Sequence, residues 1–482
     1  MEPNFVTLNT PYYRRLSESQ IQILHDSTLE VLERTGIRIL DEEALRLFTK
    51  GGADITDGNR VRIQPWRVEW AIRTAPKQII LYDLEGRVAI RLRGRNCYYG
   101  NGSDLINIID HRNNQRRPAT LQDIEEMVAI VDSLRHIDFV MSGFVPSGLP
   151  PEIAERHQMK VMIENTKKPI VYVTIGLQNT QAEVAMAEVV AGGKEALRRK
   201  PFCVNYINIA HPFRHNPESL QKLLYLAEKG LPAIYRPAIV TRGVSTPITA
   251  PGFLVANNAS QLAGLVLSQL KREGTPFIRC SCSGGTFDMR TTVGLHSAPE
   301  VRGFQEDLAH WYGHPSFGIG GTSASKCVDQ QAALEAALTL MSSTLSGAHL
   351  IHDVGYLESG LTGSLPHLVI CHEIIGWLKA YMKGLEINDE TLALDVMDEV
   401  APDGNFIDTQ HTVRHVREDY YPELQNQKRF EDWFAEGALT LLDRATKKVE
   451  IILAAHKPRE FSEEVRGKIQ QIVEKGFTET QI

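Results

Sequence analysis

The sequence contains little of what marks disulfide-rich, metal-clustered or membrane-spanning proteins. Only six of its 482 residues are cysteine, and no two of them form a CxxC pair, which argues against a disulfide framework and a closed zinc site. No apolar run approaches the roughly 18 residues of a membrane span, and residues 1–15 lack the apolar stretch of a signal peptide. We therefore expect no membrane association and a cytoplasmic location.

Dense positive charge is also missing. The chain has 52 lysines and arginines against 59 aspartates and glutamates, for a net charge of -7. Its basic runs are short, such as Lys167-Lys168. A chain with this balance has no general attraction to phosphate backbones, so we expect no nucleic-acid partner. The hydrophobic fraction of 43% and the charged fraction of 23% are those of an ordinary folded protein.

Several catalytic signatures are absent as well. The sequence has no GxSxG elbow and no GxxxxGK[ST] loop, which argues against acyl transfer and phosphoryl transfer. Residues 320–323 (Gly-Gly-Thr-Ser) fit either a phosphate at a helix start or a tight strand-to-helix turn. Cys280 and Cys282 alternate within an apolar run, which is the pattern of thiols buried on a strand.

Eight short strand-like runs recur at regular spacing. They cover residues 97–99, 139–142, 170–173, 202–206, 233–235, 277–280, 317–320 and 349–352, and neighbouring runs start 31 to 44 residues apart. This spacing fits one strand, one crossover helix and two loops. The segments between the runs carry helix signals, including a capping box at Thr120 and Asp123 and a helix from Asn216 that stops at Gly230.

Eight successive strand–helix units predict an α/β protein with a closed parallel (β/α)₈ TIM barrel. The alternative is an open doubly wound sheet, which is disfavoured because no GxGxxG motif follows the first strand. We assign the barrel to residues 96–384, an α+β extension to residues 1–95 and a helical extension to residues 385–482. The last part is predicted to include a long helical stretch over 430–455 and a final helix near 462–475. These extensions are interpreted as caps or as an oligomer interface, and we expect a homo-oligomer.

The carboxyl ends of the predicted strands, where barrel enzymes place their reactive groups, are rich in aromatic rings and amides. The candidate binding residues are Tyr98, Tyr99, Tyr206, Asn208, Arg236, His349, His352 and Tyr356. Ring faces suit a small cation such as a quaternary ammonium, which accepts no hydrogen bond; packing of the tyrosines inside the barrel is the alternative. His349 and His352 are three residues apart, so on a strand they would face opposite sides of the sheet.

Metal and Schiff-base chemistry have less support. His349, Glu358 and either Cys280 or Cys282 are residue types that bind zinc, but no metal-ligand spacing relates them, so we expect no tightly bound metal. A barrel lyase or aldolase would need a lysine at a strand end, and Lys326 is the candidate near such a position.

Longer stretches of the sequence are similar to a known family. They are residues 320–326 (GGTSASK), 329–332 (DQQA) and 347–362 (GAHLIHDVGYLESGLT), with shorter matches at 117–120, 246–247, 262–264, 288–290 and 299–300. Over nearly its whole length the chain resembles the trimethylamine:corrinoid methyltransferase family. Trimethylamine enzymes of that family carry pyrrolysine, whereas this sequence has only the standard twenty residues. It therefore resembles the branch without pyrrolysine, whose best-known member is the glycine betaine:corrinoid methyltransferase.

The resemblance implies an enzyme that takes a methyl group from a small quaternary amine, glycine betaine in the first place, and gives it to the Co(I) of a separate corrinoid protein. The tyrosines among the candidate residues would then surround the trimethylammonium head. Arg236, His349 or His352 would meet the carboxylate, and Asn208 would assist. The alternatives are the same reaction on proline betaine, carnitine or another quaternary amine, and a non-catalytic barrel that binds a corrinoid protein or a ligand.

Overall fold

The chain before the barrel folds as short helices and antiparallel strand pairs. The structure is a computed structural model that describes residues 12–237, 241–281, 285–294, 298–299, 301–400 and 402–475. The first elements are α1 (Glu18–Glu30), a π-helical turn (Val31–Thr35), β1 (Ile37–Ile39), α2 (Glu42–Lys50), β2 (Asp54–Thr56), β3 (Arg60–Arg62), α3 (Pro65–Thr74), β4 (Ile79–Tyr82) and β5 (Val88–Leu92). Strand β3 lies between β1 and β2, and β4 pairs with β5.

Strands and helices alternate through the next 280 or so residues, as a (β/α)₈ protein requires. The strands are β6 (Tyr98–Asn101), β7 (Asn107–Asp110), β8 (Gln115–Pro118), β9 (Ile170–Val173), β10 (Cys203–Ile209), β11 (Arg214–His215), β12 (Ala233–Pro237), β13 (Phe277–Cys280), β14 (Phe287–Asp288), β15 (Val293–Gly294), β16 (Ser316–Ile319), β17 (Leu350–Val354), β18 (Tyr356–Leu357) and β19 (Thr362–Gly363). The helices are α4 (Leu121–Ser133), α5 (Pro151–Asn165), α6 (Leu177–Ala191), α7 (Lys194–Arg199), α8 (Pro217–Lys229), α9 (Ala250–Lys271), α10 (Phe304–Tyr312), α11 (Gln330–Leu345) and α12 (Leu365–Tyr381).

The parallel strands close into a barrel. Seven of them form one sheet in the order β6-β17-β16-β13-β12-β10-β9. The gap between β6 and β9 is filled by residues 139–140, which make parallel bridges from Phe139 to Gly100 and from Val140 to Ile170. The predicted TIM barrel is therefore confirmed, and all eight predicted strand segments take part in its wall.

Side chains alternate between the inside and the outside of the barrel along each strand. The inward-facing ones fill the lower interior and leave a polar upper end. Inward side chains of the lower layers form one apolar cluster that includes Tyr98, Phe139, Val204, Ile234 and Leu350. The β4–β5 hairpin adds side chains to this cluster and closes the floor of the barrel. The open end, called the barrel mouth below, therefore lies at the carboxyl ends of the strands.

The predicted helix signals are present. Asp123 Oδ2 accepts a hydrogen bond from the Thr120 amide at 2.7 Å and completes the capping box of α4. Helix α8 follows Asn216 and ends at Gly230, whose φ of +70° suits glycine. The described residues contain no helix with the length and apolar character needed to cross a membrane.

The carboxyl-terminal region packs on the barrel only in part. Its helices are α13 (Asp389–Leu392), α14 (Leu394–Val400), α15 (Gln410–His415), α16 (Phe430–Ala435), α17 (Leu441–Ala455) and α18 (Glu463–Lys475). Helix α17 contacts α4 and α12, and α18 contacts α5 and α6. The prediction of one helical stretch over 430–455 is wrong, because Gly437 and Ala438 take positive φ values of 94° and 50° and Thr440 starts a new capping box. The final helix is confirmed.

A buried lysine fixes the bridging segment of the barrel. Lys168 Nζ donates to the backbone oxygens of Val131, Leu134 and Ile137 at 2.6, 2.8 and 2.7 Å. These carbonyls belong to the end of α4 and to the turn that leads to Phe139, where a cation also favours the helix terminus. Burial lowers the pKa of Lys168 to about 8, so the ammonium is still mostly charged at neutral pH.

Replacing this lysine should weaken the barrel. We expect Lys168→Met to lower the free energy of unfolding by about 3 kcal/mol, because three buried carbonyls lose their charged donor. The matched control is Lys167→Met at the neighbouring exposed ion pair with Glu85, which should cost less than about 1 kcal/mol. Urea unfolding of both variants is the measurement, and equal midpoints would contradict the role of Lys168.

Candidate functional site

Three aromatic rings meet just below the barrel mouth. Tyr206 of β10 and Phe317 of β16 have ring centroids 4.9 Å apart, and the ring of His352 from β17 stacks on Phe317 at 3.9 Å. Tyr206 and His352 form an edge contact at 5.6 Å. Because the three side chains are almost fully buried, they form the top of the packed interior and the base of the mouth.

One guanidinium stands beside these rings. Arg236 occupies the carboxyl-terminal part of β12, two residues after inward-facing Ile234, so it also points inward. Its Nη1 donates a short hydrogen bond to Tyr206 Oη, and its Cζ lies 5.7 Å from the centre of the Tyr206 ring. The mouth therefore holds a fixed cation whose planar group is oriented by a tyrosine.

Two carboxylates oppose that cation. Asp104 follows β6 and Asp353 lies within β17, and both have positive φ values, of 69° and 71°. Burial, opposed by the charge of Arg236 and reinforced by that of Asp104, raises the pKa of Asp353 to about 7. Desolvation by the surrounding protein also raises the pKa of Asp104, although part of this side chain is exposed to solvent. Burial and the neighbouring carboxyl group thus favour the protonated form of Asp353.

The hydrogen bonds of His352 fix its tautomer. Its Nδ1 lies 2.6 Å from the Gly318 carbonyl oxygen, which can only accept, so Nδ1 carries a proton. Its Nε2 then faces Asp353 Oδ1 at 3.4 Å. A proton on either partner joins the imidazole to the carboxylate, which links His352 to the charge state of Asp353.

Close packing after β6 and β17 holds the acidic side of the mouth in place. Tyr356 Oη donates a short hydrogen bond to the Ser103 carbonyl oxygen. A Cβ at Gly102 would lie 2.2 Å from Tyr356 Oη and 2.5 Å from Asp353 Oδ1. Glycine is therefore required at this position, because any side chain would displace both groups.

The predicted candidates do not all reach the mouth. Tyr98 lies in the floor cluster, where its Oη accepts from the Arg91 amide at 3.1 Å. Tyr99 points outward and pairs with Thr344 Oγ1 of α11 at 2.8 Å. His349 also faces outward, with its ring 5.5 Å from that of His310, so the two histidines lie on opposite faces as their spacing predicted. Asn208 points inward above Tyr206, and its buried Oδ1 has no hydrogen-bond partner among the described residues.

Three residues of the mouth are missing from the predicted set: Asp104, Phe317 and Asp353. Asp353 directly follows the eighth predicted strand, and this position could have identified it. Phe317 is the first residue of an apolar run, where a ring is read as core. Asp104 gives no local signal, because only barrel closure brings it near β17.

The described part of the mouth does not support the other chemistries considered from the sequence. Lys326 is exposed and donates to the Ala324 carbonyl oxygen, away from the inward-facing rings. Glu358 is hydrogen-bonded to Arg116 and Thr362, and outward-facing His349 is on the other side of the wall from Cys280. Cys282 lies outside the described residues.

Comparison with known proteins identifies the family. A family model described as trimethylamine methyltransferase (MTTB) matches residues 2–480. The trimethylamine methyltransferase MttB of Desulfitobacterium hafniense is 31% identical over 462 residues, which cover 95% of this chain and 93% of the relative. A glycine betaine methyltransferase of the same species is 31% identical over 473 residues, covering 96% and 97%. The crystal structure of the Methanosarcina barkeri monomethylamine methyltransferase aligns with a TM-score of 0.48 and 14% identity, covering 90% of this chain and 92% of that chain. The chain therefore belongs to the trimethylamine methyltransferase (MTTB) family and is a methyltransferase.

Proposed function

We propose that this methyltransferase takes a methyl group from a quaternary amine and passes it to the Co(I) of a corrinoid bound to a separate protein. The quaternary amine that we propose as its main substrate is glycine betaine. The observation that carries the proposal is the combination at the barrel mouth of aromatic rings, one guanidinium and two carboxylates. A relative named glycine betaine methyltransferase, similar over 96% of this chain, supports the same substrate class.

The groups at the mouth complement a small zwitterion. The rings of Tyr206 and His352, with the carboxylates of Asp104 and Asp353, would attract a trimethylammonium head through cation–π and charge interactions. Arg236 would bind the substrate carboxylate, because a guanidinium presents two parallel donors to a planar anion. Tyr356 would act indirectly, since its hydroxyl group holds the backbone at Ser103, next to Asp104.

A quaternary amine needs no proton donor in this reaction. When the methyl–nitrogen bond breaks, its electron pair stays on nitrogen and dimethylglycine leaves with a neutral amine. The corrinoid supplies the electron pair for the new bond to the methyl group. The residues of this chain would therefore contribute by fixing the methyl group in line with its acceptor and by excluding water.

The surface around the mouth fits a protein-borne macrocycle that approaches from outside. Loops that follow the barrel strands expose apolar side chains there, each with 42 to 83% of its surface accessible: Ile106, Val145, Ile175, Val244, Ile248, Met289 and Leu361. In a parallel barrel these loops share one end of the molecule. An apolar ring around polar groups is typical of a docking surface, and we assign the corrinoid protein as its occupant.

Methyl transfer itself is the first test. We expect the purified protein to form dimethylglycine from glycine betaine when Co(I) cobalamin is present, measured by mass spectrometry together with the loss of the Co(I) absorbance. Proline betaine and carnitine should be compared at equal concentrations, because their added bulk must fit the same pocket. Trimethylamine should be inert. Turnover of trimethylamine without turnover of any quaternary amine would overturn the proposal.

The role of Arg236 can be separated from that of the rings. We expect Arg236→Gln to lower kcat/KM for glycine betaine by about 10- to 100-fold, because the substrate carboxylate would lose a charge-assisted hydrogen bond. Transfer from tetramethylammonium, which has no carboxylate, should change little. Arg198→Gln on α7, an exposed arginine paired with Glu195, is the matched control. An equal loss with both substrates would argue against carboxylate binding by Arg236.

The pH profile should report the ionisation of Asp353. Its folded pKa is raised to about 7, so the carboxylate is protonated below that pH and anionic above it. We expect kcat/KM for glycine betaine to rise as pH increases through about 7, because the anionic form attracts the ammonium. Asp353→Asn should flatten this rise, whereas Asp26→Asn at an exposed position of α1 should keep it. If kcat/KM of Asp353→Asn still rose with pH, the ionising group would be a different one, such as His352 or Asp104.

A further inference from the structure

Three metal-binding residue types converge far from the barrel mouth. Glu390 of α13 and His411 and His415 of α15 each offer a ligand atom, and these atoms all lie within 4.8 Å of one another. In the described residues this is the single group of three such side chains with that proximity. Divalent transition metals bind imidazole and carboxylate groups in sets of three or four, so the cluster has suitable ligand types and spacing.

The two histidines are arranged on one face of a helical turn. They are four residues apart on α15, which places their side chains one above the other, and their ring centroids are 4.5 Å apart. His415 Nε2 lies 3.3 Å from Glu390 Oε1, and His411 Nε2 lies 3.1 Å from the Glu390 carbonyl oxygen. Both rings therefore present a nitrogen to the same residue.

A second carboxylate orients the nearer histidine. His415 Nδ1 lies 3.0 Å from Glu418 Oε1. A carboxylate on one ring nitrogen fixes the tautomer and leaves the other nitrogen free to bind an ion, which is the usual support of a histidine ligand in metalloproteins. Arg414 contacts Glu390 through Oε1 at 2.9 Å. The two ion-pair contacts of this carboxylate thus fall on one oxygen, so Oε2 can turn to an ion.

The chain around the site has no buried side chain in its described part. We call residues 385–418 the C-terminal arm; none of its described residues is buried, and α13, α14 and α15 bury no side chain. A segment with no apolar core is stabilised in many small proteins by a metal or a disulfide. Cysteine is absent from this segment, and Glu390 joins α13 to α15.

We propose that Glu390, His411 and His415 bind one divalent transition-metal ion, with Zn²⁺ as the ion that best fits these ligands, and that the ion joins α13 to α15. Two imidazoles, one carboxylate and a water complete a four-coordinate site. The sequence predicted no tightly bound metal, because no metal-ligand spacing relates the candidate residues at the strand ends. The spacing of His411 and His415 was available from the sequence, but Glu390 is brought beside them only by the fold.

Titration of the full-length, tag-free protein tests the site. After dialysis against a chelator, we expect one Zn²⁺ to bind per chain in calorimetry, and Co²⁺ to give the visible bands of a four-coordinate ion. His411→Gln, His415→Gln and Glu390→Gln should each weaken Zn²⁺ binding by at least about tenfold. His157→Gln on α5, a half-buried histidine outside the cluster, is the control and should bind as the parent does. Absence of saturable binding, or binding that all three variants retain, would overturn the proposal.

Limited proteolysis tests the joining of α13 to α15. We expect Zn²⁺ to slow cleavage within the C-terminal arm of the parent and of His157→Gln, and to have no such effect on His411→Gln. Since this readout requires neither substrate nor corrinoid, it is independent of methyl transfer. Cleavage of the parent at the same rate with Zn²⁺ and with chelator would overturn the stabilising role.

Discussion

Closure of the parallel barrel is the constraint on which the rest of the structure depends. Because side chains alternate between the two faces of a strand, closure turns every second residue of eight strands toward one axis. Along β10 these residues are Val204, Tyr206 and Asn208, which change from apolar to polar toward the carboxyl end. The floor is therefore packed with apolar side chains, while the mouth gathers groups that can bind a polar ligand. Lys168 supports this arrangement where the wall is held by single bridges.

The mouth keeps its charges close to apolar surroundings. Arg236 faces Asp104 and Asp353, and burial disfavours the ionised form of Asp353. A bound ammonium would supply positive charge at this point and stabilise the ionised acids. Electrostatics of this kind bind a permanent cation without any proton transfer, which agrees with a reaction whose leaving group needs no acid. The same groups would bind a neutral amine less well, since it brings no charge of its own.

The two ends of the carboxyl-terminal region differ in how they are stabilised. Helices α17 and α18 each bury apolar residues, such as Val449 and Ile472, against the barrel helices. The C-terminal arm buries none in its described part, and ion pairs on its surface, such as that of Arg414 with Glu390, contribute little when screened by water. A metal ion would stabilise the fold of such a segment, because metal binding needs only three side chains and no apolar core.

The number and order of the barrel units were determined by the sequence alone, since apolar runs, capping residues such as Thr120 and stop residues such as Gly230 act locally. Family membership was also visible there, in long stretches such as residues 347–362. Only the tertiary structure decided which of the neighbours Tyr98 and Tyr99 faces the interior, and neither reaches the mouth. It also brought together Ser103 and Tyr356, 253 positions apart, and placed Glu390 beside His415. Such pairs meet because a closed barrel and its packed extensions fix distances that no local pattern encodes.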